Sequence, residues 1–329
     1  MEHHITLPGD GTDFTHWRQV ARALLLAQVP PEAVSWHTTS AQQTAPDLFA
    51  AAMTDVAAAP PPASAPLPPV LPASTPWVVP RWWMALAEQC LLHASADRFG
   101  LLYRMLWRLQ QEPGLRHDPL DADRVSLQHK VKAVRREVHK MHAFVRFRPV
   151  PLAPDPLDGD GPLHVAWFEP QHFITQAAAP FFVHRFANMR WAILTPHCSL
   201  RWWPQAPGVQ ALAGQGVQPH QAIQPLRGRP GVLSCGPGAQ ASDAPAADAG
   251  EQLWLTYYAH IFNPARLKVQ AMTREMPRRY WHNLPEGQLI SPLIQAASAR
   301  SAAMLTQPAA PVRRRVPQPR PPRPVPPEV

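Results

Sequence analysis

The segment AWFEPQHF, residues 166–173, sets Glu169 at a strand end and His172 at the opening of the next helix. A carboxylate and an imidazole this close in sequence suit acid–base exchange with a reacting group. A helix N-terminus also favours a nearby glutamate through its dipole, so the same pair reads as a cap. The segment KVKAVRREVHKMH, residues 130–142, carries Lys132, Arg135, Arg136, His139 and Lys140 opposite an apolar stripe. That is the arrangement of a phosphate-contacting helix. A solvated face is the alternative, and Glu137 offsets part of the charge. A third constellation, EMPRRYWHNLPEG at 275–287, interleaves Arg278, Arg279, Tyr280, Trp281, His282 and Asn283. Cations alternating with aromatics are what unpaired, stacked bases require. The competing reading is a helix end that packs Tyr280 and Trp281 into a core and leaves the arginines outside.

Other groups carry less. His139 and His142 lie three apart on one helix, a spacing that lets two imidazoles share a metal, but no third ligand is indicated and no metal is expected. Cys90, Cys198 and Cys235 are odd in number and far apart, so neither a disulfide framework nor a four-cysteine cluster is implied. The sequence CGPGA at 235–239 reads as a turn, lacking the lysine and spacing of a phosphate loop. No Ser-His-Asp or Cys-His triad can be assigned. No cofactor is expected.

These residues need elements to position them. Asp13 is a suitable N-cap for a helix with Phe14, Trp17, Ala21, Leu24 and Leu25 on one face, ended by Pro30 and Pro31. With a strand at 33–37, the N-terminus reads as a strand–helix–strand unit. Helices are predicted over 82–93, from a cap at Asp97 to Pro113, and over 121–144, where Leu127, Val131, Val134, Val138 and Met141 step by four, three, four and three. The period then shortens. Strands are predicted at 144–147, 163–168, 191–194, 200–203 and 231–235, with a helix over 171–187 between them. Helices return at 251–262 and 264–276, Pro264 being suited to a first helical position. The fold class is α+β, a small, mostly antiparallel sheet surrounded by helices.

The sequence of 329 residues has 43 prolines, and only 16% of it is charged. Such a chain should carry segments that do not fold. Eight prolines fall between Pro60 and Pro76, a density no helix survives. The division expected is an N-terminal unit at 1–59, a proline-rich linker at 60–80, a main domain at 81–298 and a disordered Pro/Arg tail at 299–329. Residues 306–329 hold five arginines and one acid, a net +4 out of the formal +8 of the whole chain. The body is therefore only mildly basic, which favours polyanions weakly. Without a secretory leader or a bilayer-length apolar run, the expected place is the cytoplasm, with nucleoid association if DNA is bound.

Several stretches together resemble a bacterial family of DNA repair, or DNA metabolism, proteins whose biochemistry is uncharacterised. They are VRREVHKMHAFVRF (134–147), HVAWFEPQHFITQAAAPFFVHRFANMRWAILTP (164–196), CGPGA (235–239) and LWLTYYAHIFNPARLKVQAMTREMPRRYWHNLPE (253–286). The N-terminal FTHWRQVARALLLAQVPPEAVSW (14–36) fits as well. The resemblance implies a radical-SAM partner acting on DNA. It also implies kinship with forms fused to a uracil-DNA-glycosylase-like domain that holds an iron–sulfur cluster. This sequence departs from the fused form by ending in a Pro/Arg tail, and three scattered cysteines cannot build that cluster. It resembles the stand-alone version.

The function expected from residues and resemblance together is a DNA repair accessory protein that binds DNA, a radical-SAM partner, or both. One alternative is a nucleic-acid-processing enzyme, glycosylase- or nuclease-like, using Glu169 and His172. Another is a partner scaffold that never touches DNA.

Overall fold

Asp13 sets the start of the first helix. Its Oδ1 accepts the backbone N–H of His16 at 3.1 Å, relieving one of the donors a helix start leaves unpaired. Helix α1 (Phe14–Leu26) buries Trp17, Val20, Ala21, Leu24 and Leu25. It crosses between β1 (His3–Leu7) and β2 (Val34–Thr38), which pair in parallel with Ile5 opposite Trp36. The expected strand–helix–strand unit is present. In this computed structural model the described residues are 2–40, 79–150, 162–204, 222–223, 231–246 and 268–306, with 251, 255, 256 and 259. They fall into two compact units, Met1–Ala249 and Gly250–Val329.

In the first unit, α2 (Arg81–Cys90) and α3 (Arg98–Gln111) share a core with the N-terminal strands. Trp17 lies 6.1 Å from Trp36 and 6.0 Å from Trp83, ring to ring, and the Tyr103 hydroxyl donates to the Val29 carbonyl at 2.6 Å. One hydrophobic cluster thus runs from Ile5 to Val131. The boundary expected at 60–80 does not separate two cores, and 41–78 lie outside the described residues. Asp97 does not cap α3 as expected. It has helical dihedrals, φ −69° and ψ −10°, and its carboxylate pairs instead with Lys130 Nζ at 2.8 Å.

Helix α4 (Ala122–Phe144) begins at Asp121, whose Oδ1 accepts from Arg124 N at 3.0 Å. Arg108 of α3 reaches both Asp121, at 2.8 Å, and Asp123, at 3.0 Å, while Arg104 meets Asp123 at 2.6 Å. The Arg104 guanidinium holds the Asp123 carboxyl below its usual range. Leu127, Val131, Val134 and Met141 are buried, as their spacing predicts. The strand expected at 144–147 does not form, because α4 continues through Phe144. Phe147 is an apolar loop residue packed against Phe186 and Trp191, with ring centroids 5.2 and 6.1 Å away.

The main sheet follows: β3 (Arg148–Val150), β4 (Leu163–Trp167), β5 (Trp191–Leu194), β6 (Cys198–Trp203), β7 (Ala222–Ile223) and β8 (Val232–Pro237). Their order is β3-β4-β5-β6-β8-β7. Among the described strands of this sheet, β4 and β5 pair in parallel, joined by α5 (Thr175–Arg185), and the other pairings are antiparallel. The α+β class and the mostly antiparallel sheet hold. Gly238, in the CGPGA turn, sits where an added Cβ would lie 2.0 Å from the Pro196 carbonyl oxygen, so only glycine fits that close approach.

The second unit comprises α6 (Val269–Glu275), a 3-10 turn at Arg278–Asn283 and α7 (Gly287–Thr306). The helix expected at 251–262 lies largely outside the described residues. Helix α7 continues through Thr306, so the segment expected to be a disordered tail from 299 is helical over its first eight positions. Residues 307–329 lie outside the described ones. Among the described residues no helix is long and apolar enough to cross a membrane.

Candidate functional site

The face of α4 divides the sequence-predicted cations. Lys132, Arg135, Arg136 and His139 are exposed; Lys140 is buried at 5% exposure. Lys140 follows the turn that carries Glu137, and its ammonium lies 5.9 Å from the Phe144 ring. It is therefore not part of a solvent-facing cationic strip. Arg135 Nε donates to Gln89 Oε1 at 2.5 Å, a hold from the neighbouring α2 that limits where its guanidinium points. His142 stacks on Phe181 of α5, with centroids 4.0 Å apart, and burial lowers its pKa. His142 is half-buried beside that partly exposed ring, whereas His139 is exposed. Among the described residues no group of three metal-ligating side chains occurs.

Glu137 is the residue that sequence reasoning undervalued. It reads as a partial charge offset, yet it is 1% exposed. Its Oε1 accepts the N–H of Gln171 at 2.9 Å and its Oε2 that of His172 at 2.7 Å. Two successive backbone donors on one carboxylate clamp the 166–173 segment to α4. His172 is itself buried, and its Nδ1 accepts the N–H of Ala94 at 3.2 Å. The Phe173 N–H donates to the Leu92 carbonyl at 2.9 Å. The segment is thus tied on one side to α4 and on the other to the turn between α2 and α3. Glu169 is exposed and accepts from the indole N–H of Trp167 at 2.9 Å.

That turn brings a second histidine to His172. The His93 and His172 rings are 4.3 Å apart. Nδ1 of His93 accepts the Ser95 N–H at 3.1 Å and lies 2.8 Å from the Ser95 hydroxyl. Lys130 Nζ, which can only donate, reaches the same hydroxyl at 2.8 Å. The polarity is therefore Lys130 to Ser95 to His93, with Nδ1 as acceptor. Burial, then the neighbouring His172 and Lys130, push the His93 pKa down to about 4, so the ring is neutral at pH 7. Nothing in the sequence pattern marks His93 or Ser95, since their partners come from α4 and from the 166–173 segment.

A thiol pair lies on the sheet beside α5. Register places Leu200 opposite Cys235 and Cys198 opposite Pro237, so the two cysteines are diagonal neighbours on one face. Their thiols are hydrogen-bonded to each other, and Gln176 Nε2 of α5 donates to Cys235 Sγ at 3.0 Å. Thr195, at the end of β5, donates to the Cys198 carbonyl at 2.6 Å and is 3.2 Å from the Thr175 hydroxyl. The carboxyl ends of the two parallel strands thus gather Glu169, His172, Thr175 and Thr195, as α/β crossovers commonly do.

In the second unit the 3-10 turn resolves the aromatic–arginine segment. Tyr280 is fully buried, with its hydroxyl 2.7 Å from Arg279, so it is a core residue rather than a stacking platform. Trp281 is partly exposed; its indole donates to the Met276 carbonyl at 2.9 Å, and Arg278 lies 5.6 Å from its ring. Arg278 and Arg279 are exposed. The side chain of Asn283 lies outside the described set.

A helical layer on a mixed sheet, with its polar groups gathered where β4 and β5 end, defines an α+β protein with a candidate site at one pole of that sheet. The chain belongs to the family described as a domain of unknown function, DUF4130, whose model matches residues 96–286, more than half of the chain. The matched region takes in the exposed cations of α4, Glu137, the 166–173 segment, both sheet cysteines and the 278–283 turn; His93 precedes it. No curated protein and no solved structure matches the chain.

Proposed function

We propose that this protein is a DNA repair accessory protein that holds the sugar–phosphate backbone of DNA along α4 and works beside a radical-SAM partner. The observation that supports DNA binding is the exposure of Lys132, Arg135, Arg136 and His139 on one helix. At positions i, i+3, i+4 and i+7 they share a face. They span about 10 Å of helix axis, the rise of about three nucleotides of one strand. The repair context and the partner come from the sequence resemblance alone. In the second unit, taken by itself, Arg278 and Arg279 are exposed cations.

The test is a salt series on duplex and single-stranded DNA with the double variant Arg135→Glu, Arg136→Glu. Binding should weaken uniformly across sequences, and the salt slope should fall by about one for each phosphate no longer neutralised. Unchanged affinity and slope would reduce the face to a solvated one. Nuclease-resistant co-purification with the radical-SAM protein, without any DNA affinity, would favour the scaffold reading.

One observation favours a second reading, a nucleic-acid-processing enzyme. Glu169 is exposed on the same clamped segment that places His172 against His93. In that reading Glu169→Gln abolishes a DNA-processing activity while the thermal midpoint stays put. Product formation that survives the substitution removes Glu169 from the chemistry.

A further inference from the structure

We infer that Cys235 and Cys198 form a redox-active dithiol that is oxidised to an intramolecular disulfide by small-molecule disulfides. The geometry starts from register. With Leu200 opposite Cys235 and Cys198 opposite Pro237, both side chains leave the same face of adjacent antiparallel strands. Diagonal partners of this kind have Cα atoms about 7–8 Å apart in a regular sheet. A disulfide needs somewhat less, so closing the bridge draws the strand ends together by about 1 Å. The place allows that movement. Cys198 is the first residue of β6, Cys235 is two short of the end of β8, and Gly236 lies beside it. A bridge closed against such a small distortion is readily reduced, which makes it reversible rather than a permanent staple.

The surroundings distinguish the two sulfurs. Cys235 is half-buried and receives two hydrogen bonds, one from the Cys198 thiol and one from the Gln176 amide at 3.0 Å. Donors of that kind stabilise a thiolate, and the Cys198 hydrogen bond, ahead of Gln176, brings the Cys235 pKa down to about 6. Cys198 goes the other way. Its role as donor to Cys235, and then its burial, raise its pKa. The other groups acting on the pair are the Thr175 hydroxyl and, at longer range, Asp10. Cys90 is fully buried, and desolvation pushes it up to about 12, so it stays a thiol and serves as an internal control.

The chemistry balances in two exchanges. The Cys235 thiolate attacks one sulfur of a disulfide RSSR; the Cys235–SR bond forms and RS⁻ leaves, taking up a proton. Cys198 then no longer donates to a thiolate, so the chief cause of its raised pKa is gone. It loses its proton to solvent and attacks Cys235 Sγ, and the second RS⁻ departs. Two protein thiols are oxidised by two electrons, and one RSSR is reduced to two RSH.

The experiment uses the full chain and oxidised glutathione as the probe, followed by acid quench, unfolding, alkylation and peptide mass spectrometry. The wild type should lose two of its three alkylatable thiols, give a crosslinked Cys198–Cys235 peptide, and regain both thiols with dithiothreitol. Cys198→Ser should stop at a glutathione adduct on Cys235, and Cys235→Ser should lose the fast reaction. On the unmutated chain, the Cys235 alkylation rate should be half-maximal near pH 6, at least tenfold faster at pH 7 than at Cys90. Three alkylatable thiols after oxidation, a stable adduct without a crosslink in the wild type, or equal rates at Cys235 and Cys90 would each overturn the inference.

Discussion

His93 is where a single side chain converts its surroundings into a measurable pH dependence. Burial and the neighbouring His172 and Lys130 lower its folded pKa to about 4, from an ordinary value near 6.5. As the pH falls from about 6.5 to about 4, the unfolded chain takes up a proton that the folded chain refuses. Stability is therefore complete above that window and is lost on descending through it. Chemical denaturation between pH 7 and pH 4 should show this slope, and His93→Gln should flatten it. Equal slopes in the two proteins would mean that His93 is solvated in the folded state. None of this was legible in the sequence. His93 stands in an unremarkable run, LLHASAD, and acquires its partners only when Lys130 and His172 arrive from 37 and 79 positions away. Tyr280 and Lys140 carry the same lesson in reverse. Their types suit nucleic acid, but both are buried, and burial is decided by what packs over a residue.

At the scale of elements, α4 joins the helical layer to the sheet. Its start was legible: Asp121 does what an N-cap does, and Leu127, Val131, Val134 and Met141 behind it are buried, while Val138 of the same stripe is half-buried. Its second face was not legible. The side bearing Glu137 and Lys140 is also buried, yet a polar buried face has the same sequence pattern as a solvated one. The strand expected at 144–147 failed for a related reason, since apolar residues can fill a core from a loop as Phe147 does. Glu137→Gln tests the clamp. It replaces one acceptor with a donor that faces a backbone N–H, and should cost about 1–3 kcal/mol. Urea unfolding reads the loss, and amide exchange at Gln171 and His172 should quicken more than elsewhere. A variant as stable as the wild type, with unchanged exchange at those two amides, would show that the clamp contributes nothing.

For the molecule as a whole, the fold class could be read from the switch of hydrophobic period near residue 145, and five of the eight described strands fall where alternation or apolar runs place them. The partition could not. A proline-rich stretch marks where the chain changes composition, but the core on its two sides is continuous from Ile5 to Val131. The pairing of Cys198 with Cys235 was equally hidden, because it depends on the register of β6 against β8 across 37 residues of sequence. The basic character of the molecule likewise has two sources. The Pro/Arg segment contributes half of the formal charge, and the strip on α4 adds exposed Lys132, Arg135 and Arg136. A chain truncated after Thr306 should therefore keep the part of its DNA affinity that depends on α4.

The most direct measurement of whether α4 holds DNA is the salt dependence of DNA binding by the chain truncated after Thr306, with and without Arg135→Glu, Arg136→Glu. The truncated protein should still bind, its log affinity should fall linearly with log salt, and the double variant should bind more weakly with a shallower slope. If the truncated protein binds no DNA, or the double variant matches it in affinity and slope, α4 has no part in holding DNA.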